Sequence, residues 1–188
     1  YLYVDWFDIA TYGNPHYLIP VKDLVMPNRY SQAEKRRRCA IVYSKPVPSR
    51  EQLMTHVRRI MPCDHYGRGG VPLPAGEHNK LAMLSVYQYS IAAENTIQKG
   101  YVTEKVLHAK VAGTLPIYYG YAVDQLMNPE AVLRIKPESK NDPLWSLAEK
   151  LRLIVDNKPR YDHIVNQPLF KQLPSVDPAM DALERALS

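Results

Sequence analysis

The chain has 188 residues, 46% of them apolar and 23% charged, with a formal net charge of +5 and an isoelectric point near 9.1. That is enough for one sound hydrophobic core, or for one lobe of something larger, and no apolar run approaches the ~18 residues that a membrane-spanning helix needs. The positive balance favours an anionic ligand or surface and discriminates little beyond that.

The sequence opens on Tyr1 rather than Met, so it is expected to be part of a longer protein with residues upstream. Tyr1 to Met26 mixes six aromatic residues with loop formers and shows no clear period. Lys35-Arg36-Arg37-Arg38 then precedes an apolar run. Such a cluster is either a solvated flank of a strand or a patch for nucleic acid or an anionic membrane. No aromatic interleaving, zinc-finger spacing or RNA-binding strand motif accompanies it, so no nucleic-acid partner is expected.

Ala40 to Ser44 reads as a short strand, broken by the Pro46 to Ser49 loop, and Arg50 to Met61 has helical spacing through Leu53, Val57 and Ile60. Asp64 to Tyr66 resumes as a strand ending at Gly67, and a Gly/Pro-rich loop, Arg68 to Gly76, leads to a short helix over Asn79 to Ser85. Tyr87 to Ala93 is a strand, followed by a polar loop that ends in Thr103-Glu104-Lys105. An apolar-periodic helix then closes at Gly113, before a strand over Thr114 to Tyr119. Val132 to Ile135 is a further strand. Asp142 as N-cap and Pro143 at the first helical position open a helix whose buried stripe is Leu144, Leu147, Ala148, Leu151, Ile154 and Val155. Repeated strand-helix units of this kind predict an α/β fold, a Rossmann-like parallel sheet with helices on both faces. Cys39 and Cys63 lie at the starts of two of the strands and fit either a disulfide or reduced core thiols.

The Thr103-Glu104-Lys105 turn carries the chemistry. Unpaired backbone N–H groups and the positive end of a helix dipole meet there, and Lys105 adds a cation, so a phosphate-bearing ligand suits the site. There is no Asp-x-Asp pair to hold a divalent ion across a pyrophosphate, and none of the six histidines has a partner at metal-ligand spacing. Nor is there a GxSxG elbow, a Walker loop or a GxGxxG turn. A diphosphate bound here must be neutralised by protein cations.

Glu94-Asn95, a spacer, Tyr101-Val102-Thr103-Glu104-Lys105 and then Pro116-Ile117-Tyr118-Tyr119-Gly120 resemble the signature of the α-1,3/1,4-fucosyltransferases, glycosyltransferase family 10, over about Cys39 to Phe170. The resemblance implies one lobe of a GT-B type glycosyltransferase: residues 1–34 the end of the acceptor-side lobe and the crossing between lobes, residues 35–188 the donor-binding lobe. It implies GDP-fucose as donor, a glycan or glycoconjugate acceptor, transfer with inversion, and no cofactor or essential metal. Arg50 aligns with the family's diphosphate-contacting arginine and Lys105 with its lysine, and these two are the catalytic candidates. Glu104 would hold the ribose hydroxyls. Glu94 and Asn95 are loop-shaping or sugar-contacting groups, Tyr101 would pack on guanine or sugar, Val102 and Thr103 complete the donor-contacting string, and Tyr66-Gly67 matches a Tyr-Gly step. Ala93 and Gly100 stand where the family has Phe and Asp. The general base that inversion requires would lie in the missing acceptor lobe, Asp5 and Asp8 being the only early carboxylates here. Asp8-Ile9 and Tyr12-Gly13 resemble the crossing between lobes. Eukaryotic members imply the Golgi lumen and an N-terminal anchor, bacterial ones the cytoplasm. A nucleotide-sugar-binding module or degenerate transferase without catalysis is the alternative reading.

Overall fold

The computed structural model describes residues 24–27, 34–73, 77–98, 101–121, 127–135, 143–173 and 177–187. The expected inter-lobe features Asp5, Asp8-Ile9 and Tyr12-Gly13, together with Gly100 and the Asp142 cap, lie outside them. The elements in chain order are β1 (Arg37–Val42), α1 (Pro48–Arg58), β2 (Cys63–Tyr66), α2 (Glu77–Ser85), β3 (Tyr87–Ala93), α3 (Glu104–Val111), β4 (Leu115–Tyr119), a 3-10 turn (Pro129–Ala131), β5 (Leu133–Ile135), α4 (Pro143–Val155), α5 (Lys158–Asn166) and α6 (Asp177–Leu187).

The five strands among the described residues are all parallel, in the order β2-β1-β3-β4-β5. The strand order changes direction across the sheet between β1 and β3, β2 lying to one side of β1 and β3 to the other, which makes the carboxyl ends of β1 and β3 the topological switch point where open α/β sheets bind ligands. The residues explain the burial. β3 and β4 are apolar almost throughout because helices cover both faces, as parallel sheets require. Alternation within β1 divides the core: Cys39 and Ile41 join Leu53 and Val57 of α1 and Leu147, Leu151 and Ile154 of α4 on one face, while Ala40 packs with Leu84 of α2 and Ala112 on the other. Leu53, Val57 and Leu151 are fully buried, each contributing about 1.5–3 kcal/mol by burial.

Several boundaries move by one to three residues relative to the sequence reading, among them the starts of β1 and α1. β1 begins at Arg37 rather than Ala40, because Arg37 pairs in register with Tyr87 while its guanidinium reaches Asp64 at 2.7 Å. α1 begins at Pro48, a residue with no N–H to leave unsatisfied. Two helices were not anticipated. α5 carries an N-cap at Asn157, whose side chain accepts from the Arg160 N–H, and buries only Tyr161 and Val165; α6 follows it. The basic cluster is committed to protein partners: Lys35 donates to the Ser85 carbonyl at 2.7 Å, Arg36 pairs with Glu34, and Arg38 donates to Gln88 at 2.9 Å. Cys39 and Cys63 are register partners, both buried as free thiols with their sulfurs 3.2 Å apart. No helix among the described residues is long and apolar enough to cross a membrane.

Candidate functional site

Glu94 follows β3 at the switch point, and its side chain is fully buried. One carboxylate oxygen accepts the Thr103 N–H at 2.8 Å; the other accepts the Thr103 hydroxyl at 2.7 Å and the Lys105 ammonium at 3.3 Å. Thr103 occupies the N-cap of α3, but its hydroxyl does not cap the helix; it donates to Glu94 and accepts from Lys105 Nζ at 2.7 Å. A carboxylate from the preceding strand therefore neutralises the helix start, a placement the helix dipole favours. Glu94 thereby shapes the loop, and both its oxygens are occupied.

Gly120 follows β4 directly beside this carboxylate. A Cβ there would stand 2.8 Å from Glu94 Cγ and 2.6 Å from the Tyr118 hydroxyl, so the position admits no side chain without displacing one of them. The glycine that closes the Pro116 to Gly120 string is thus a packing requirement of Glu94.

Arg50 reaches the same strand end from the first turn of α1. It is 2% exposed, and its Nε and Nη2 donate to the Ala93 carbonyl at 3.0 and 2.7 Å, Nη1 to the Lys45 carbonyl at 3.2 Å, and Nη2 also to the Asn95 side-chain oxygen. Burial lowers its pKa from the ordinary value, opposed by Glu94 and Glu104; a guanidinium remains charged through such a shift.

A cavity of about 330 Å³ lies over these groups. Tyr43, Ser44 and Lys45, after β1, line it together with Arg50, Asn95, Glu104 and Lys105. Val42 and Ile91 of the sheet, Lys80 and Leu84 of α2 and His108 of α3 also line it. Gly67 also lines it, with φ +105° and a backbone so close to the Tyr43 carbonyl that a Cβ would stand 2.2 Å from that oxygen. Burial pushes the Glu104 carboxyl up, but Lys105, its own backbone N–H and Lys80 outweigh burial and hold it below its usual value. Burial, then Lys80, push the His108 imidazole down to about 3 despite Glu104, so it is neutral at ordinary pH.

The structure therefore gathers Arg50, Gly67, Asn95, Glu104 and Lys105 around one cavity, with Glu94 and Thr103 beneath them. Tyr66 does not line the cavity: its hydroxyl lies 2.9 Å from that of Tyr87, in the cluster against α2. Val102 is buried in the core with Val106 and Leu107. Tyr101 is 37% exposed and does not line the cavity. A larger cavity of about 840 Å³, beside edge strand β2, contains Arg58, His65 and Arg68 and shares Tyr43 with the first, but it gathers none of the predicted donor-site residues. Among the described residues there is no group of three or more His, Cys, Asp or Glu able to hold a metal. Sequence reasoning passed over Lys45, Lys80 and His108; Lys80 and His108 lie on helix faces whose pairing no local pattern announces.

Residues 32–166 match the family model described as glycosyltransferase family 10 (fucosyltransferase), C-terminal. The chain belongs to glycosyltransferase family 10. This family 10 chain is 33% identical over 110 residues to an α-(1,3)-fucosyltransferase of Helicobacter pylori, covering 57% of the chain and 23% of that relative. It is 28% identical over 139 residues to an α-(1,4)-fucosyltransferase of Arabidopsis thaliana, covering 63% of the chain and 34% of that relative. The crystal structure of an α1,3-fucosyltransferase with GDP-fucose superposes with a TM-score of 0.67 at 25% identity, over 82% of this chain and 48% of the other; the same comparison with a GDP complex gives 0.66. These structural neighbours place the parallel five-stranded sheet among GT-B fucosyltransferase folds. The chain thus spans a quarter to a third of these two curated relatives and about half of the structural ones.

Proposed function

We propose that this chain is the donor-binding lobe of a fucosyltransferase that moves L-fucose from GDP-fucose to a glycan acceptor with inversion and without an essential metal. The observation that carries the reading is the convergence at the β3 end. Glu94 fixes Thr103 and Lys105 at the start of α3, and Arg50 is clamped to Ala93 and Asn95 a few bonds away, on the rim of a cavity at the topological switch point.

In this reading the diphosphate lies at the first turn of α3, where free backbone N–H groups and Lys105 meet it. As the bond between fucose C1 and the β-phosphate oxygen breaks, negative charge grows on that oxygen. A cation held in place before the reaction stabilises the growing charge more than the ground state, and so accelerates departure. Glu104, held ionised by Lys105 and Lys80 despite burial, is placed to accept hydroxyl groups of the ribose. The general base that takes the acceptor proton is assigned to the acceptor lobe.

The test is fucose transfer by the complete enzyme from GDP-fucose to a glycan acceptor, with EDTA present. Transfer should persist in EDTA, and Arg50→Ala and Lys105→Ala should each lower turnover about 100-fold. Losses below about threefold would remove those roles, and transfer abolished by EDTA and restored by a divalent ion would remove the metal-free reading.

A further inference from the structure

The two cysteines take no part in the donor reading, yet the fold brings them together. The sequence holds two in all, 24 positions apart. Cys39 of β1 and Cys63 of β2 are register partners on parallel strands, so their side chains leave the sheet on the same face, in the cluster that holds Leu53 and Val57 of α1. Adjacent strands lie about 4.8 Å apart, inside the Cα separation of roughly 4.4–6.8 Å that a disulfide spans. The sulfurs stand 3.2 Å apart and need to close by only about 1 Å to reach bonding distance. β2 can supply that movement, being a four-residue edge strand whose one ladder partner among the described residues is β1.

We propose that Cys39 and Cys63 form a disulfide that staples edge strand β2 to β1. Each thiol gives up its hydrogen and the two sulfurs join. The two electrons and two protons pass to an oxidant of the low-molecular-weight disulfide class, such as oxidised glutathione, whose own S–S bond is cleaved to two thiols. One cysteine thiolate attacks that disulfide, and the other then displaces the small thiol from the mixed disulfide. Both residues are buried, at 1% and 6% exposure, and burial, then the Cys63 thiol, push the Cys39 thiol well above its ordinary pKa. The thiolate is the attacking species, so the bond is made while β2 is still open during folding, and the packed core then shields it from reductants. The strands that it joins lead into the donor cavity, where Tyr43 follows β1 and Gly67 follows β2. The Tyr43 N–H donates to the Tyr66 carbonyl at 3.1 Å, and the Gly67 backbone packs on the Tyr43 carbonyl. Holding β1 and β2 in register therefore holds these two lining residues together.

Refolding the reduced, urea-unfolded chain in a glutathione redox buffer, then alkylating thiols in denaturant and measuring intact mass, tests this. With two cysteines in the chain, an intramolecular disulfide is this one. The refolded monomer should gain no alkyl group and carry no glutathione, and a digest should recover the peptides of Cys39 and Cys63 joined. The closed loop restricts the unfolded chain, so the folded-to-unfolded ratio should rise about 100-fold over the reduced protein, read as a higher urea midpoint. Cys63→Ala should have the same midpoint with and without the oxidant. Two alkylated thiols, or a stable glutathione adduct, in wild-type protein that has regained its circular dichroism would overturn the proposal. So would a disulfide-bonded monomer whose midpoint is no higher than that of the reduced chain, or a wild-type-sized shift in Cys63→Ala.

Discussion

Replacing Glu94 is the sharpest perturbation of the site, because one fully buried carboxylate holds the helix that carries Lys105. Glu94→Ala removes two short hydrogen bonds to Thr103, at 2.8 and 2.7 Å, and the longer contact to Lys105. Hydrogen bonds to a charged acceptor contribute roughly 1.5–3 kcal/mol each, and the Thr103 N–H left behind is buried without its partner. Lys105 is partly exposed and adds little. The expected loss is about 4 kcal/mol, within the range for breaking a buried charged pair. Glu94→Gln keeps one acceptor for the Thr103 N–H and the side-chain volume, so about half of that loss is expected. Equilibrium urea unfolding followed by far-UV circular dichroism reads both values, and a double-mutant cycle with Thr103→Val isolates the coupling. Should Glu94→Ala cost less than about 1 kcal/mol, or the cycle be additive within about 0.5 kcal/mol, the carboxylate does not hold the helix start.

Other outcomes follow from the same geometry. Gly120→Ala forces a Cβ to within 2.8 Å of Glu94 Cγ and should cost about 1–3 kcal/mol; a neutral effect in a thermal melt would show that the glycine is not needed there. Arg50→Lys cannot reproduce the paired donation to Ala93, so stability should fall by about 2 kcal/mol, measurable in the same urea experiment. Lys110 is buried against the Val165 carbonyl, 2.9 Å away, and burial pushes its pKa down to about 7. The folded protein then binds fewer protons than the unfolded chain between about pH 7 and 10.5. Stability from this group should rise across that window by roughly 1.4 kcal/mol per pH unit and be lowest below it. Lys110→Met should flatten the rise, and an unchanged pH profile would contradict the burial argument.

The β3-α3-β4 unit was legible because its strands are continuous apolar runs and its helix opens on a charged turn, two patterns with different periods. α5 was not, because a helix that buries only Tyr161 and Val165 leaves a nearly polar sequence between Lys158 and Asn166; its signal was the Asn157 cap followed by Pro159, with a Lys158–Asp162 pair one turn apart. At the site, Lys105 could be read from the helix start, whereas Arg50 came from the family resemblance alone. The bonds from Glu94 to Thr103 cross a loop of eight residues, and no spacing rule announces a contact of that kind. Tyr66 packs beside Tyr87 in the cluster against α2 and does not line the cavity that Gly67 lines, a distinction that the order of the two residues does not carry.

The central claim is a metal-free grip on a guanine nucleotide diphosphate by this lobe. Calorimetric titration of the chain with GDP, UDP and GDP-fucose in EDTA, beside Lys105→Ala, tests it most directly. The account predicts binding that prefers GDP to UDP, survives EDTA and weakens at least tenfold in the variant, on the order of one charge-assisted contact. Binding that requires a divalent ion, favours UDP or is untouched by loss of Lys105 would contradict it.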